Sequence, residues 1–292
     1  MRGNGLLQSD SHVLVGVLYY TFGILLMAVM GASAKALSSD YSVVQIIFFN
    51  NTVALLCVLI PMSGGGYGRL LSSHWKLLVA RAVIASGTIY CYFLGLQNLA
   101  WVDVAAIFAV APLIVTVLSG WLLKEVIGIS RWLAVAAGFA GALVIIRPTL
   151  DQDTALLLPL GAAFCYALAL IYAKILTRTE SSLVILVYTY GLIAFGSLLL
   201  LPMFWKAVPS SDLLIFLLMG SFGALGNVFY LKGCRFAPVH VVAPFDYTAL
   251  IWASLLGFVI WQEIPTVWTC FGVVLIVAGG LYILRRQHAD VT

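Results

Sequence analysis

Two stretches of the chain decide its fold: GLQNLAWVDVAAIFAVAPLIVTVLSGWLLKE (Gly95–Glu125) and GCRFAPVHVVAPFDYTALIWASLLGFVIWQE (Gly233–Glu263). They align without a gap at an offset of 138 residues, which places Gly95 on Gly233 and Glu125 on Glu263. The agreement continues at the same offset into the glycine-rich apolar run that follows each stretch. The sequence therefore predicts an internal duplication, in which the second half of the chain repeats the plan of the first.

The composition is that of an integral membrane protein. Hydrophobic residues make up 63% of the chain, charged residues 9%, and the mean hydropathy is +1.10, which lies outside the range of soluble domains. A helix needs about 20 apolar residues to cross a membrane. The sequence divides into ten such runs: 12–35, 42–61, 77–97, 103–122, 129–147, 155–174, 182–202, 212–232, 240–261 and 266–285. We therefore expect an all-α integral membrane protein with ten transmembrane helices.

The duplication divides these helices into two units of five, residues 1–149 and 150–292. An odd number of crossings separates equivalent positions, so the second unit enters the membrane upside down relative to the first. Lys35, near one face, then has its counterpart Lys174 near the other. Inverted repeats of this kind are typical of transporters, because they supply two related conformations around a central pathway and thus allow alternating access.

Positively charged residues predict the orientation. With the N-terminus in the cytoplasm, twelve of the fifteen Lys and Arg lie at cytoplasmic ends or loops: Arg2, Arg69, Lys76, Arg81, Lys124, Arg131, Lys174, Arg178, Lys232, Arg235, Arg285 and Arg286. This bias follows the positive-inside rule and places both termini in the cytoplasm. The net charge of +4 therefore reflects topology and contact with lipid headgroups, and we expect no binding to nucleic acid.

Taken together, the two five-helix units resemble the EamA domains of the drug/metabolite transporter superfamily. The resemblance covers residues 13–286 and includes the glutamate after each fourth helix, Glu125 in LLKEVI and Glu263 in IWQEIP. The fifth helices, with GFAGALVIIRP and LIVAGGLYILRR, are also similar to that pattern. Within the superfamily the chain is most similar to the YddG-type exporters of hydrophobic or aromatic amino acids. The resemblance implies that the third and fourth helices of each unit line the pathway.

Asp246 is the first candidate for substrate contact, because it is the only acidic side chain well inside an apolar run. A carboxylate in the membrane costs about 2.5 to 3.5 kcal/mol on insertion scales, so it normally faces a partner or a wet cavity. It would contact the ammonium group of a substrate or carry a coupling proton. The alternative is a structural pair with Lys232 or Arg235 near the cytoplasmic boundary.

Other polar and aromatic residues on the pathway helices complete the predicted site. Asn227 and Tyr230 are three residues apart and share one helix face, although interhelical hydrogen bonding is the ordinary role of a membrane asparagine. Trp101 would stack on an apolar substrate or, alternatively, belong to the interfacial aromatic belt. The remaining candidates provide further aromatic surface: Tyr90, Phe108, Tyr166 and Tyr247.

Two prolines interrupt pathway helices, Pro112 in AVAPLIV and Pro244 in VVAPFDY. A proline removes a backbone donor and bends a helix, so we expect hinges at both positions; the alternative is a tolerated packing kink. They are not equivalent in the repeat.

The sequence contains no motif for ATP hydrolysis, metal-dependent proteolysis or nucleophilic catalysis. We therefore expect a secondary transporter without cofactor or metal, acting as a monomer in the bacterial inner membrane and exporting amino acids or similar small zwitterions. One alternative is an uptake or exchange carrier for another metabolite, such as S-adenosylmethionine or a vitamin. An alternative of another class is a membrane-embedded lipid-modifying enzyme, which would need several ionisable residues converging near one headgroup face.

Overall fold

The structure, a computed structural model, describes residues 3–60, 72–122, 129–146, 154–176, 179–236 and 243–289, which are helical with short connections and contain no strand. Eleven α-helices lie in these ranges: α1 (Gly3–Leu37), α2 (Val43–Leu59), α3 (Trp75–Asn98), α4 (Trp101–Phe108), α5 (Ala111–Leu122), α6 (Ile129–Ile146), α7 (Leu157–Leu176), α8 (Ser182–Phe204), α9 (Ser210–Phe236), α10 (Thr248–Trp261) and α11 (Val267–Ala289). Short 3₁₀ segments, Thr154–Leu156 and Ala243–Tyr247, precede α7 and α10.

Within the described ranges, five helices are long and apolar enough to cross a membrane: Leu14–Leu37, Trp75–Asn98, Thr154–Ala173, Ser182–Phe204 and Ser210–Tyr230. Shorter apolar helices account for Val43–Leu59, Trp101–Val115, Phe245–Trp261 and Val267–Ala278. The boundary between the two predicted units, together with Glu125, lies outside the described residues.

Serine caps define the start of α2 and of α8. Ser42 accepts a hydrogen bond from the backbone N–H of Gln45 at 3.3 Å, and Ser181 accepts one from Val184 at the same distance. A serine hydroxyl in this position satisfies one of the unpaired N–H groups of the first helical turn. The two caps occupy equivalent places in the sequence duplication, at the start of the second helix of each predicted unit.

The predicted span 103–122 is two helices in the structure. Helix α4 ends at Phe108, the chain turns at Ala109 and Val110, and α5 begins at Ala111. Pro112 therefore lies in the first turn of α5, where its missing N–H leaves no helical hydrogen bond unmade. The predicted span 240–261 likewise contains the 3₁₀ segment Ala243–Tyr247 before α10. An apolar run of about 20 residues does not distinguish a continuous helix from a broken one.

Helices from the two halves of the chain pack against each other throughout. The most extensive contacts join α1 to α9, α3 to α7, α2 to α8 and α6 to α11. Glycines allow α1 and α9 to approach closely: a Cβ atom added at Gly23 would lie 2.7 Å from the backbone nitrogen of Tyr230. Small residues at such a crossing let membrane helices gain close packing, and this crossing brings tyrosines of α1 and α9 together.

Candidate functional site: a central cavity lined by a carboxylate

A cavity of about 320 Å³ lies between helices of both halves. Its walls are mainly apolar, formed by residues such as Ile24, Met27 and Leu250, with a small number of polar side chains among them. Ligand sites in proteins commonly combine an apolar wall with a few placed polar groups and have volumes of about 300 to 1,000 Å³. The cavity is at the lower end of this range and is suited to a small metabolite.

Asp246 lines the cavity from the 3₁₀ segment before α10. The hydroxyl group of Tyr20 on α1 donates a hydrogen bond to its Oδ1 atom at 2.7 Å. Lys232, which was a candidate partner, is exposed and lies over the ring of Phe229 at 5.8 Å; the side chain of Arg235 lies outside the described residues. Within the described residues, Asp246 therefore has a phenol and no cation as its partner.

Three tyrosines from three helices form a hydrogen-bonded chain that ends at Asp246. The hydroxyl oxygen of Tyr20 lies 3.1 Å from that of Tyr230 on α9, which in turn lies 2.9 Å from that of Tyr166 on α7. A phenol has one proton to donate. Tyr20 can therefore donate either to the carboxylate or to Tyr230, and in the pair of Tyr166 and Tyr230 either hydroxyl group can be the donor. The chain holds the carboxylate in a fixed position between the two halves.

Aromatic rings form one wall of the cavity. The ring of Phe108 makes edge-to-face contacts with Tyr92 and with Tyr166, with both pairs of centroids 5.3 Å apart. Trp101 is 2% exposed and donates from Nε1 to the hydroxyl group of Tyr92 at 3.2 Å. Its burial in the bundle argues against a place in the interfacial aromatic belt. The rings are fixed by these contacts and present an apolar surface to the cavity.

Among the described residues, further polar atoms at the cavity are buried without a hydrogen-bond partner, including Asn50 Oδ1, Thr88 Oγ1 and the hydroxyl oxygen of Tyr247. Buried polar groups are normally paired, so unpaired ones call for an explanation. Asn227 also lines the cavity, and its Nδ2 atom donates to the backbone carbonyl of Gly223 at 3.0 Å. The unpaired atoms give the cavity hydrogen-bonding capacity that the described residues do not use.

An ion pair lies beside Trp101, a residue of the cavity wall. Lys35 Nζ lies 2.7 Å from Glu263 Oε1 and donates to the backbone carbonyl of Leu99 at 2.9 Å. Glu263 Oε2 accepts from the backbone N–H of Trp101 at 2.8 Å, at the start of α4, where the helix dipole favours a negative charge. The network thus ties together α1, the end of α3, the start of α4 and the segment after α10.

A left-handed residue positions Glu263 for this contact. Gln262 has φ 57° and ψ 29°, a conformation that few residues other than glycine adopt. The backbone N–H of Glu263 donates to the carbonyl of Gly257 at 3.1 Å and that of Gln262 to Phe258 at 3.0 Å. The bond from Gln262 to Phe258 is that of an αL motif at the end of α10, and the turn directs the glutamate to the backbone of Trp101.

Most residues proposed from the sequence lie at this cavity. Those that line it are Asp246, Asn227, Tyr230, Trp101, Phe108, Tyr247, Tyr166 and Pro112. Tyr90 does not: its hydroxyl group lies 3.0 Å from Ser197 Oγ on α8, beside a second, smaller pocket. The side chain of Pro244 lies outside the described residues.

The sequence did not single out Asn50 and Tyr92, which line the cavity, or Tyr20, which bonds to Asp246. The Lys35–Glu263 pair beside Trp101 was not predicted either. Lys35 and Glu263 did stand out as charges at the ends of apolar runs. Opposite charges on the same predicted face of the membrane were the signal for their pairing. Tyr20 had no such signal, because its role depends on how α1 crosses α9.

A bundle of apolar helices around a small cavity with a fixed carboxylate and an aromatic wall defines a membrane transporter for small molecules. The sequence profile of the EamA-like transporter family matches residues 14–147 and 153–285. The chain therefore belongs to the EamA-like transporter family.

Several characterised proteins are similar to the chain over nearly their whole length. A riboflavin transporter of Vibrio cholerae is 27% identical over 284 residues, which are 94% of this chain and 95% of the relative. An S-adenosylmethionine uptake transporter of Rickettsia prowazekii is 25% identical over 279 residues, 95% of each chain. A pseudopaline exporter of Pseudomonas aeruginosa is 23% identical, covering 93% of this chain and 96% of the exporter. These relatives transport different molecules.

A solved crystal structure shares the fold. It superposes with a TM-score of 0.67 at 18% sequence identity and covers 95% of this chain and 99% of that one.

Proposed function

We propose that the chain is a secondary transporter that exports amino acids with an apolar or aromatic side chain across the bacterial inner membrane. The observation that carries the proposal is Asp246, a carboxylate in the cavity wall whose described partner is a phenol. An ammonium group of the substrate would supply the missing positive charge. The substrate side chain would lie against the rings of Tyr92, Phe108 and Tyr166.

The transport mechanism that we propose is alternating access by two inverted units, residues 1–149 and 150–292, with ten transmembrane helices in all. The helix packing supports it. In the duplication, α1, α2 and α3 are equivalent to α7, α8 and α9. The α1–α9 contact is therefore equivalent to α7–α3, and the α2–α9 contact to α8–α3. All four contacts are present. A pseudo-symmetric bundle of this kind can close at either end around the same cavity.

The hinges of this motion would be the two helix breaks next to the cavity. In the sequence duplication, Val110 at the first break corresponds to Thr248, the first residue of α10 after the second break. Pro112 and Pro244 lie beside these breaks and keep the helices from becoming continuous. Discontinuous helices at a central site are a recurrent feature of secondary transporters, because the free backbone groups bind substrate and the break allows bending.

The proposed orientation places both termini in the cytoplasm and the Lys35–Glu263 pair toward the outer side of the membrane. A cysteine introduced at exposed Ser210, at the start of α9, is then expected to react with a membrane-impermeant thiol reagent added to intact cells. A cysteine at exposed Ser73, before α3, serves as the cytoplasmic control. Both variants are made in a cysteine-free background. Labelling of the cysteine at Ser73, with none at Ser210, would show that the orientation is the opposite of the proposed one.

Transport in membrane vesicles tests the function directly. Inside-out vesicles containing the protein are expected to accumulate labelled phenylalanine, leucine or methionine faster than vesicles containing the Asp246→Asn variant. Right-side-out vesicles separate export from uptake. The protein would act as a monomer, since the cavity lies within one chain. Failure to transport any amino acid in either vesicle orientation would contradict the proposal.

The relatives favour a second candidate, uptake of a larger metabolite. S-adenosylmethionine, which one relative transports, carries an amino-acid head group and an aromatic base, so it would use the same carboxylate and the same rings. Riboflavin, the substrate of another relative, has no ammonium group to neutralise Asp246. The vesicle assay therefore includes both compounds, and accumulation of either in right-side-out vesicles in place of amino acids would favour this candidate.

A further inference from the structure

Arg81 is a positive charge inside the helical bundle, although the sequence suggested an ordinary cytoplasmic anchor. It lies in the second turn of α3 and is only partly exposed. Its guanidinium group points toward α8, where Nη1 donates to the hydroxyl group of Thr189, a residue that is 7% exposed. The side chain is therefore directed into the bundle between α3 and α8 and away from the lipid headgroups.

Within the part of the chain that the structure describes, no acidic side chain neutralises the guanidinium group of Arg81. No carboxylate lies within ion-pair distance among the described residues, and its Nε atom is buried without a hydrogen-bond partner. A buried charge is costly unless it is paired, and arginines inside membrane proteins usually mark a substrate or ion pathway. The free donors of this group suit an anion that binds from outside the chain.

Arg81 lies on the same helix as residues of the cavity wall, nearer to the N-terminal end of α3. Thr88 and Tyr92, which line the cavity, follow Arg81 by seven and eleven residues and share its helix face. Two helical turns correspond to about 10 Å. The phenols of Tyr166 and Tyr190 line the cavity as well. Arg81 thus lies near the N-terminal end of α3, whereas the Lys35–Glu263 pair lies beside Leu99 at its C-terminal end.

We infer that Arg81 binds the carboxylate of the substrate. The planar guanidinium fork matches a carboxylate in geometry and charge. Asp246, which would take the ammonium group, is joined to the same tyrosine cluster through the chain that ends at Tyr166. The two opposite charges would together select molecules that carry both an ammonium and a carboxylate group. This inference rests on the proposed function, because it assigns the second charged group of the same substrate.

The test compares phenylalanine with phenylalaninamide, which has the same ring and ammonium group and lacks the carboxylate. Binding to the detergent-solubilised protein is measured by calorimetry. The wild-type protein is expected to prefer phenylalanine by about 10- to 100-fold, the range for hydrogen bonds between charged groups. Arg81→Gln is expected to bind both ligands equally. The matched control is Thr189→Val, which removes the protein partner of Arg81 and is expected to retain the preference.

Three outcomes would overturn the assignment in distinguishable ways. If Arg81→Gln keeps the preference, or if Thr189→Val loses it to the same extent, Arg81 has a structural role and the proposed function stands. If the wild-type protein binds neither ligand, the proposed amino-acid function fails together with this assignment.

A second experiment uses only the wild-type protein, so its result does not depend on whether the variants fold. Modification of Arg81 by phenylglyoxal, followed by mass spectrometry, should be slowed by phenylalanine and unaffected by phenylalaninamide.

Discussion

Replacing Asp246 with asparagine is expected to lower substrate affinity by about 10- to 100-fold, the contribution of a hydrogen bond between charged groups. Asparagine has nearly the same shape, and its side-chain oxygen can still accept the hydrogen bond that Tyr20 donates at 2.7 Å. The substitution therefore removes the charge and keeps the local contact. Substrate binding and vesicle transport, each normalised to the amount of folded protein, are the measurements.

The pH dependence of this variant separates the two roles of the carboxylate. If Asp246 contacts the substrate ammonium, binding by Asp246→Asn is weakened to the same extent at every pH. If Asp246 carries a coupling proton, the variant still binds substrate, and transport loses its dependence on the proton gradient. Either result keeps Asp246 in the site.

Asp212→Asn is the matched control for this substitution. Asp212 also accepts a hydrogen bond from a tyrosine, Tyr41, at 2.5 Å, but it lies in the first turn of α9 and outside the cavity wall. Its replacement is expected to leave affinity unchanged. Lower expression and thermal stability of Asp246→Asn, with unchanged transport per folded molecule, would show that the carboxylate is structural.

Helix positions were predictable because the solvent of this protein is the bilayer. An apolar run of membrane-spanning length has to satisfy its backbone hydrogen bonds internally, so a long run such as 182–202 predicts a helix, and α8 is found at Ser182–Phe204. The break between α4 and α5 was not predictable from the same rule. Ala109 and Val110, at the turn, are as apolar as the helices on either side, and only the packing around them decides where the chain turns.

The position of side chains around each helix was harder to predict. Tyr90 and Tyr92 are two residues apart on α3 and face different neighbours: Tyr92 lies at the cavity, and Tyr90 lies beside Ser197 of α8. Both sides of α3 are apolar, because one contacts lipid and the other contacts protein, so the sequence carries no amphipathic signal for the inner face. The position of Asp246 at the cavity was predictable, because a carboxylate within an apolar run is costly unless it faces a partner or a wet cavity.

Breaking the Lys35–Glu263 pair is expected to open the cavity toward the side of the membrane that the proposed orientation places outside. The two side chains are only 11% and 16% exposed, and their charged groups are 2.7 Å apart. Glu263→Gln leaves Lys35 as an uncompensated charge, and removal of one partner of a buried pair costs about 3 to 5 kcal/mol. This cost falls on the closed conformation, because opening exposes Lys35 to water. The equilibrium therefore shifts toward the state that is open to the outside.

The accessibility of a cavity residue measures this shift. A cysteine at Ala28, which lines the cavity and is 7% exposed, is expected to react with an impermeant thiol reagent from outside at least about tenfold faster in Glu263→Gln, since each 1.4 kcal/mol corresponds to a factor of ten. The double variant Lys35→Glu with Glu263→Lys re-forms a pair of opposite charges and is expected to restore part of the closure.

The Lys206–Asp40 pair is the control. It is also an ion pair, but water screens its charges, so breaking it should not shift the equilibrium between closed and open conformations. These side chains are 59% and 66% exposed and their charged groups are 3.7 Å apart, so the pair contributes at most about 1 kcal/mol. Lys206→Gln is expected to leave the reactivity of the Ala28 cysteine unchanged. Unchanged reactivity in Glu263→Gln, or an increase seen only from the cytoplasmic side, would show that Lys35 and Glu263 do not form the outer gate.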